Sequence, residues 1–187
     1  MLDINKVITV ATAEVGYKEK KGNITKYAEF FDKNYPEFYN YRKQGAEWCD
    51  LFYDFIIVKS YEALGIEKCA KILYQPLHSC GAGCSFSHGY YKEHNAVGST
   101  PKVGAQVFFK NKDNKIVHTG LVIKIDKTHF YTIEGNKNNS VQECKYPLNS
   151  KKVHSFGYPN YEGYTLPVEE KPKEEKPKDK EKSFDVK

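Results

Sequence analysis

The sequence predicts an α+β fold in which N-terminal helices pack on an antiparallel β-sheet. Apolar residues recur at helical spacing in the first third of the chain, and after Pro101 they follow the two-residue period of strands. Helices followed by strands, without βαβ alternation, are typical of the α+β class. The 187 residues include 40% hydrophobic ones, among them 15 Tyr and 11 Phe, which suffices for one well-packed core.

Three helices are predicted in the first third. Ile4, Val7, Ile8 and Ala11 lie on one face of the first, which ends near Gly16. The second opens near residue 23 or 25. The third covers residues 49–64, and Gly65 ends it. Residues 66–100 look irregular, apart from a short helix around residues 90–93.

Five strands are predicted after Pro101, over residues 103–110, 116–125, 129–134, 141–146 and 153–158. If residues 126–128 form a three-residue loop, Ile125 pairs with His129 and His118 lies opposite position 136. Glu134 then becomes a diagonal neighbour of His118 on the same face of the sheet. His118, Glu134 and Asn136 would therefore point together, toward the start of the third helix.

Cys49 begins that third helix, at the junction between a polar segment and an apolar run. The positive end of a helix favours the thiolate, which is the reactive form of cysteine. A distant histidine on a strand and a carboxylate or amide beyond it complete the pattern of a cysteine hydrolase. Buried structural cysteines are common, so the indication rests on the three segments together.

Five short segments between about residues 5 and 160 occur in a characteristic order: Trp48-Cys49-Asp50, Val107-Phe108-Phe109, His118-Thr119-Gly120-Leu121-Val122, Ile133-Glu134-Gly135-Asn136 and Gly157-Tyr158-Pro159. In these segments the chain resembles the CHAP domain, the cysteine- and histidine-dependent amidohydrolase/peptidase of phage endolysins and bacterial wall hydrolases. The resemblance implies a papain-like (NlpC/P60-type) α+β fold that hydrolyses amide bonds of peptidoglycan. Ala105 stands after Gly104, where many family members have Asp.

Carried over by position, the resemblance makes Cys49 the nucleophile, His118 the general base and Glu134 the residue that orients the histidine, with Asn136 as a further polar member. We expect Trp48 to form a wall of the substrate groove, although a plain core role is open for it. The activity is that of an N-acetylmuramoyl-L-alanine amidase or a peptidoglycan endopeptidase. The alternatives are a cysteine amidase acting on a soluble substrate and a catalytically inactive wall-binding module.

The composition bears on partners and location. Residues 1–166 are expected to form the catalytic domain, and residues 167–187, rich in Glu, Lys and Pro, a linker toward a wall-binding module. No signal peptide or membrane-spanning run is visible, so we expect a protein made in the host cytoplasm that reaches the wall through holin-type lysis or on a phage particle. We also expect it to be a monomer. The net charge of +5 resides almost wholly on lysines, which favours anionic polymers such as the wall over nucleic acid.

The other cysteines raise the question of a metal. His78, Cys80, Cys84 and His88 have spacing within the range of zinc sites, but no second Cys/His pair lies at finger spacing. We expect this segment to be a loop that flanks the substrate groove. Residues 35–47 lack an Asp-x-Asp pattern, so no calcium is expected there. The sequence therefore predicts an enzyme without a metal or other cofactor.

Overall fold

The computed structural model of the protein describes residues 2–162. It is an α+β fold with five α-helices and one antiparallel sheet of six strands in the order β1-β6-β2-β3-β4-β5. The helices are α1 (Ile4–Ala13), α2 (Lys26–Asn34), α3 (Cys49–Tyr61), α4 (Ile66–Ile72) and α5 (Cys84–Glu93), with a 3₁₀ turn at Glu62–Leu64. The strands are β1 (Val97–Gly98), β2 (Gln106–Lys110), β3 (Ile116–Ile125), β4 (His129–Glu134), β5 (Gln142–Pro147) and β6 (Val153–Gly157).

Local signals explain the helix starts. The Asp3 carboxylate accepts a hydrogen bond from the backbone of Asn5 at the start of α1. The Thr25 hydroxyl accepts one from the backbone of Ala28 at the start of α2. Both side chains satisfy N–H groups that have no partner inside the helix. Gly65 lies between the 3₁₀ turn and α4 with φ of 85°, a conformation that glycine adopts without steric cost.

Helix α3 forms the centre of the core. All but two of its 13 residues are buried, and it contacts α1, α2 and β3. Leu121 of β3 and Ile133 of β4 belong to the same helix-packed cluster, whereas Val122 and Phe130 belong to a second cluster built from the strands. The alternation of neighbouring residues between the two clusters is what the two-residue period of a sheet requires.

The helical region between residues 66 and 100 differs from the sequence prediction. Helix α4 was not predicted, and α5 begins at Cys84 rather than near residue 90. Seven residues give α4 little periodicity, and Gly83 and Gly89 weaken the helical signal of α5. The two-residue edge strand β1 was also missed, because so short a strand leaves no pattern.

The predicted register of the β3–β4 hairpin is confirmed at the end near Leu121 and is wrong at the turn end. Leu121 pairs with Ile133, as the predicted register requires. Ile125 pairs with Phe130 and not with His129, because an irregularity between Val122 and Lys124 takes up one residue. The Asp126 carboxylate accepts hydrogen bonds from the backbone of Thr128 and His129 and shapes the turn. The error is therefore confined to the turn end of the hairpin.

No helix within residues 2–162 combines the length and the apolar character needed to cross a bilayer. The proposed linker at residues 167–187 lies outside the described residues.

Candidate active site

The N-termini of two helices meet at the candidate site. Cys49 is the first residue of α3 and Cys84 the first residue of α5, and their Sγ atoms lie 3.4 Å apart. Helix N-termini carry partial positive charge, which favours a thiolate between them. The pocket around the two sulfurs has a volume of about 380 Å³, and we name it the Cys49 cleft; it is lined by Glu47, Cys49, Ala82, Gly83, Cys84, Ser85, Ile116, Val117, His118 and Asn136.

A buried polar bridge holds these two helices together. The Asp50 carboxylate accepts hydrogen bonds from the Ser87 hydroxyl at 2.6 Å and from the Gln106 side-chain amide at 2.7 Å. Asp50 belongs to α3, Ser87 to α5 and Gln106 to β2. Because Asp50 and Ser87 lie within three residues of Cys49 and Cys84, the bridge fixes the position of both sulfurs. Burial of Asp50, partly offset by the Ser87 bond, raises its pKa to about 7.

His118 and Glu134 form a pair on neighbouring strands, in which His118 is partly buried and Glu134 fully buried. The His118 Nε2 atom lies 2.9 Å from Glu134 Oε2, and the Glu134 side chain is inaccessible to solvent. The Thr132 hydroxyl donates to the other Glu134 oxygen at 2.6 Å, and Lys137 Nζ lies 3.3 Å from Oε2. Both oxygens of the carboxylate are thus engaged, which fixes its orientation.

Gly120 makes room for this pair. A Cβ atom at position 120 would lie 2.6 Å from Glu134 Cγ, closer than packed carbon atoms approach. The absence of a side chain on β3 at this point therefore lets the Glu134 side chain lie across the strand.

The electrostatics of the site favour an ion pair between cysteine and histidine. The hydrogen bond from Cys84 is the largest cause that lowers the pKa of Cys49 to about 5; burial opposes it, and contact with His118 adds to it. Burial alone would lower the pKa of His118, but its contacts with Cys49 and Glu134 raise it to about 9. Near neutral pH, Cys49 is therefore a thiolate and His118 an imidazolium.

The pKa shifts of the groups next to this pair, Glu134 and Cys84, agree with an ion pair between Cys49 and His118. Burial would raise the pKa of Glu134, but hydrogen bonds from His118 and Thr132 and the charge of Lys137 keep it below its ordinary value. The bond to Cys49, together with burial, raises the pKa of Cys84 well above the usual range of a thiol. Cys84 is thus a neutral thiol that donates to the Cys49 thiolate. Since Glu134 occupies Nε2 of His118, Nδ1 is the ring nitrogen available to Cys49.

Asn136 and Trp48 differ from the other site residues predicted from the sequence. Asn136 lines the Cys49 cleft, but its side-chain amide donates to the Glu47 carboxylate across the cleft. Trp48 is fully buried, its ring N–H donates to Glu19, and its ring packs against Tyr27. The expectation that Trp48 forms a wall of the groove is wrong: the residue before Cys49 at the start of α3 turns its indole into the core.

Sequence reasoning missed the roles of six residues in this site: Glu47, Asp50, Ser87, Gln106, Thr132 and Lys137. It did place the Cys84 segment beside the groove, and residues 82–85 do line the Cys49 cleft. The signal it lacked was the pairing of Cys84 with Cys49, because a sequence does not show which helix starts meet.

Three of the four residues considered as zinc ligands each contact a different partner. Cys84 faces Cys49, the His88 ring packs edge-on against His154, and Cys80 accepts a hydrogen bond from Asn40. Within the part of the chain that the structure describes, no group of three or more His, Cys, Asp or Glu side chains is arranged to hold a metal ion.

Comparisons with known proteins give a limited likeness. No protein-family model matches the sequence, and no curated protein matches it. Among solved structures, a crystal structure of Ly7917 with the hydrolyzing product of MDP is similar at a TM-score of 0.45 and 12% identity, over 84% of this chain and 62% of that one. A second crystal structure of Ly7917 is similar at a TM-score of 0.44 and 14% identity, over the same shares of the two chains. The chain thus spans less than two thirds of the length of these neighbours, and a likeness of this size does not identify a family.

Proposed function

We propose that the protein is a thiol amidohydrolase in which Cys49 is the nucleophile, His118 the general base and acid, and Glu134 the residue that orients His118. The observation that carries the proposal is the arrangement of these three groups: a cysteine at a helix start with a lowered pKa, beside a histidine whose Nε2 lies 2.9 Å from a buried carboxylate. Nucleophile, base and orienting group in this order are the parts of a catalytic triad. The fold is in this proposal of the papain-like type, as the resemblance to CHAP domains implies.

The proposed reaction proceeds in two stages. The Cys49 thiolate attacks the carbonyl carbon of an amide, and a covalent tetrahedral adduct forms. The backbone N–H of Cys49 belongs to the first turn of α3, where N–H groups lack partners within the helix, and in this proposal it donates to the oxyanion. His118 gives its proton to the leaving amine, and the C–N bond breaks to leave a thioester on Cys49.

In the second stage the neutral His118 takes a proton from water, and the resulting hydroxide attacks the thioester. The acid product leaves, and the Cys49 thiolate and the His118 imidazolium are restored. Glu134 stabilises the imidazolium and fixes the ring so that Nδ1 faces Cys49 throughout. Cys84 stabilises the thiolate by its S–H donor and acts as a positioning residue.

For the substrate we propose an amide bond of bacterial peptidoglycan, cleaved either between the glycan and its peptide or within the peptides. The wall-hydrolase motifs around Cys49, His118 and Glu134 support this choice. In the same proposal the chain is the catalytic domain of a phage endolysin, and residues 167–187 connect it to a wall-binding module.

The test is digestion of purified Gram-positive peptidoglycan by the wild type and by Cys49→Ser, with Cys80→Ser as a matched control at an exposed cysteine. We expect the wild type and the control to lower turbidity and to release new amino termini without new reducing sugar ends, while Cys49→Ser releases nothing. Mass spectrometry of the termini then names the bond. Equal release by Cys49→Ser, or release of reducing ends, would contradict the proposal.

A further inference from the structure

A second pocket adjoins the Cys49 cleft and shares His118 and Asn136 with it. It has a volume of about 450 Å³, and we name it the lysine groove after four of its lining residues: Lys110, Lys112, Lys137 and Lys152. Phe109 and Tyr146 form its apolar part, and the remaining lining residues are His118 and three asparagines. The groove therefore contains several basic side chains and no acidic one.

The positive charge of this groove is largely unbalanced. Lys137 lies 3.3 Å from the buried Glu134, so its charge is partly neutralised. Lys110 donates to the neutral Asn114 side chain at 2.8 Å. Within residues 2–162, no carboxylate forms an ion pair with Lys110, Lys112 or Lys152. Like charges collected in a concave surface repel one another, and an anion that enters the groove relieves the repulsion.

The position of the groove indicates which part of a substrate it receives. In the proposed reaction the thiolate holds the acyl fragment, and His118 protonates the amine that leaves. The lysine groove is lined by His118 but not by Cys49, whereas the Cys49 cleft is lined by both. The groove therefore lies on the side of the leaving amine.

We propose that the lysine groove binds the carboxylate groups of the peptide that leaves as the amine. This inference rests on the proposed function. A peptide that leaves as an amine keeps its own carboxylates, so this fragment is the anionic product of the cleavage. Lysine ammonium groups bind carboxylates as point charges without demanding one geometry. The groove thus selects substrates by the charge of the leaving peptide, and amidation of that peptide removes what it recognises.

The test uses two soluble muropeptides that have the same acyl side and differ only in the leaving peptide, which carries free carboxylates in one and carboxamides in the other. For the wild type at low salt, we expect KM to be about three- to tenfold lower for the carboxylate substrate, from two or three exposed charge pairs, with kcat little changed. The preference should weaken as salt screens the charges.

The double variant Lys112→Gln/Lys152→Gln should weaken this preference by raising KM for the carboxylate substrate alone, while Lys110 and Lys137 remain in the groove. Lys68→Gln/Lys127→Gln removes the same charge from exposed positions outside the groove and should leave the preference unchanged. Equal KM values for both substrates in the wild type, or a preference that is undiminished in the groove variant, would overturn the inference. Equal KM values together with lysine-dependent binding of a glycerol-phosphate polymer would assign the groove to wall phosphates and would overturn it as well.

Failure of the wild type to cleave either muropeptide would instead reject the proposed function, and the inference with it. This outcome is distinct from cleavage without a charge preference, which rejects the inference alone.

Discussion

The Sγ atoms of Cys49 and Cys84 lie 3.4 Å apart, at the first residues of two separate helices. One sulfur is a thiolate at neutral pH and the other a neutral thiol, because the bond between them lowers the pKa of Cys49 and raises that of Cys84. The Asp50 bridge to Ser87 holds the two helix starts in this arrangement. The second cysteine is therefore part of the environment that makes the first one reactive.

Replacement of Cys84 should raise the pKa of Cys49 above its value of about 5, because the thiolate loses the largest of the interactions that stabilise it. We expect Cys84→Ala to move the thiolate titration, followed by ultraviolet absorbance, to higher pH, with Cys84→Ser in between because serine still offers a hydroxyl donor. Cys80→Ser is the matched control and should leave the titration of Cys49 in place. An unchanged titration in Cys84→Ala would show that His118 and the helix start are enough to lower the pKa of Cys49 without Cys84.

Glu134→Gln keeps the shape of the side chain and removes its charge. Because Glu134 helps to raise the pKa of His118 to about 9, the variant should shift the alkaline limb of the pH–activity profile to lower pH. We expect kcat/KM to fall by about 10²–10⁴, as for other triads that lose their orienting carboxylate. Glu143→Gln, at an exposed position on β5, is the control. A loss of activity without a shift of the limb would assign Glu134 a purely structural role.

Much of this pair was predictable from the sequence. The strands that hold His118 and Glu134 agree with their predicted bounds, 116–125 and 129–134, because long alternating runs leave a strong period-two signal. Their register beside the site was predictable too, since Leu121 and Ile133 must both face the helices. The irregularity between Val122 and Lys124 was not predictable, because the alternating pattern of the strand contains nothing that marks the extra residue.

The residues that the sequence did not reveal are those whose role depends on contacts between distant elements. Cys84 stands next to glycines and looked like part of a loop, yet it starts a helix that points at Cys49. Trp48 stands beside Cys49 along the chain but points away from the cleft, since consecutive residues at a helix start diverge in direction. Spacing along the chain predicts periodic elements well and predicts such convergence poorly.

Trp48→Phe tests the structural role of the buried indole. The variant loses the hydrogen bond to Glu19 and part of the packing against Tyr27. We expect the free energy of unfolding to fall by about 1–3 kcal/mol in denaturant titrations, with KM for muropeptides unchanged. A raised KM at unchanged stability would return Trp48 to the substrate groove.

Asp50→Asn tests the cost of the buried carboxyl group. Its pKa is raised to about 7 in the folded protein and is about 4 in the unfolded chain, so between these values only the folded state holds the proton. The contribution of Asp50 to stability is therefore full below pH 4 and is lost as the pH rises to 7. From the size of the shift, this loss is up to about 4 kcal/mol.

Asparagine at position 50 can still accept a hydrogen bond from Gln106, and its amide can donate to the Ser87 hydroxyl. We therefore expect Asp50→Asn to show a smaller decline of unfolding free energy between pH 4 and 7 than the wild type, measured by urea titration at each pH. An equal decline in both proteins would mean that Asp50 is ionised throughout this range. Asp54 is also buried and has a raised pKa, so it lowers the unfolding free energy of both proteins as the pH rises.

The thiolate–imidazolium pair of Cys49 and His118 is tested most directly by the pH dependence of Cys49 alkylation with iodoacetamide, followed residue by residue by mass spectrometry. The pair predicts that Cys49 reacts as a thiolate from about pH 5 upward and faster than Cys80, the exposed cysteine, at pH 6. In His118→Ala the onset of the reaction should move to higher pH. Reaction of Cys49 only above pH 8, in parallel with an ordinary thiol and unaffected by His118→Ala, would contradict the catalytic assignment.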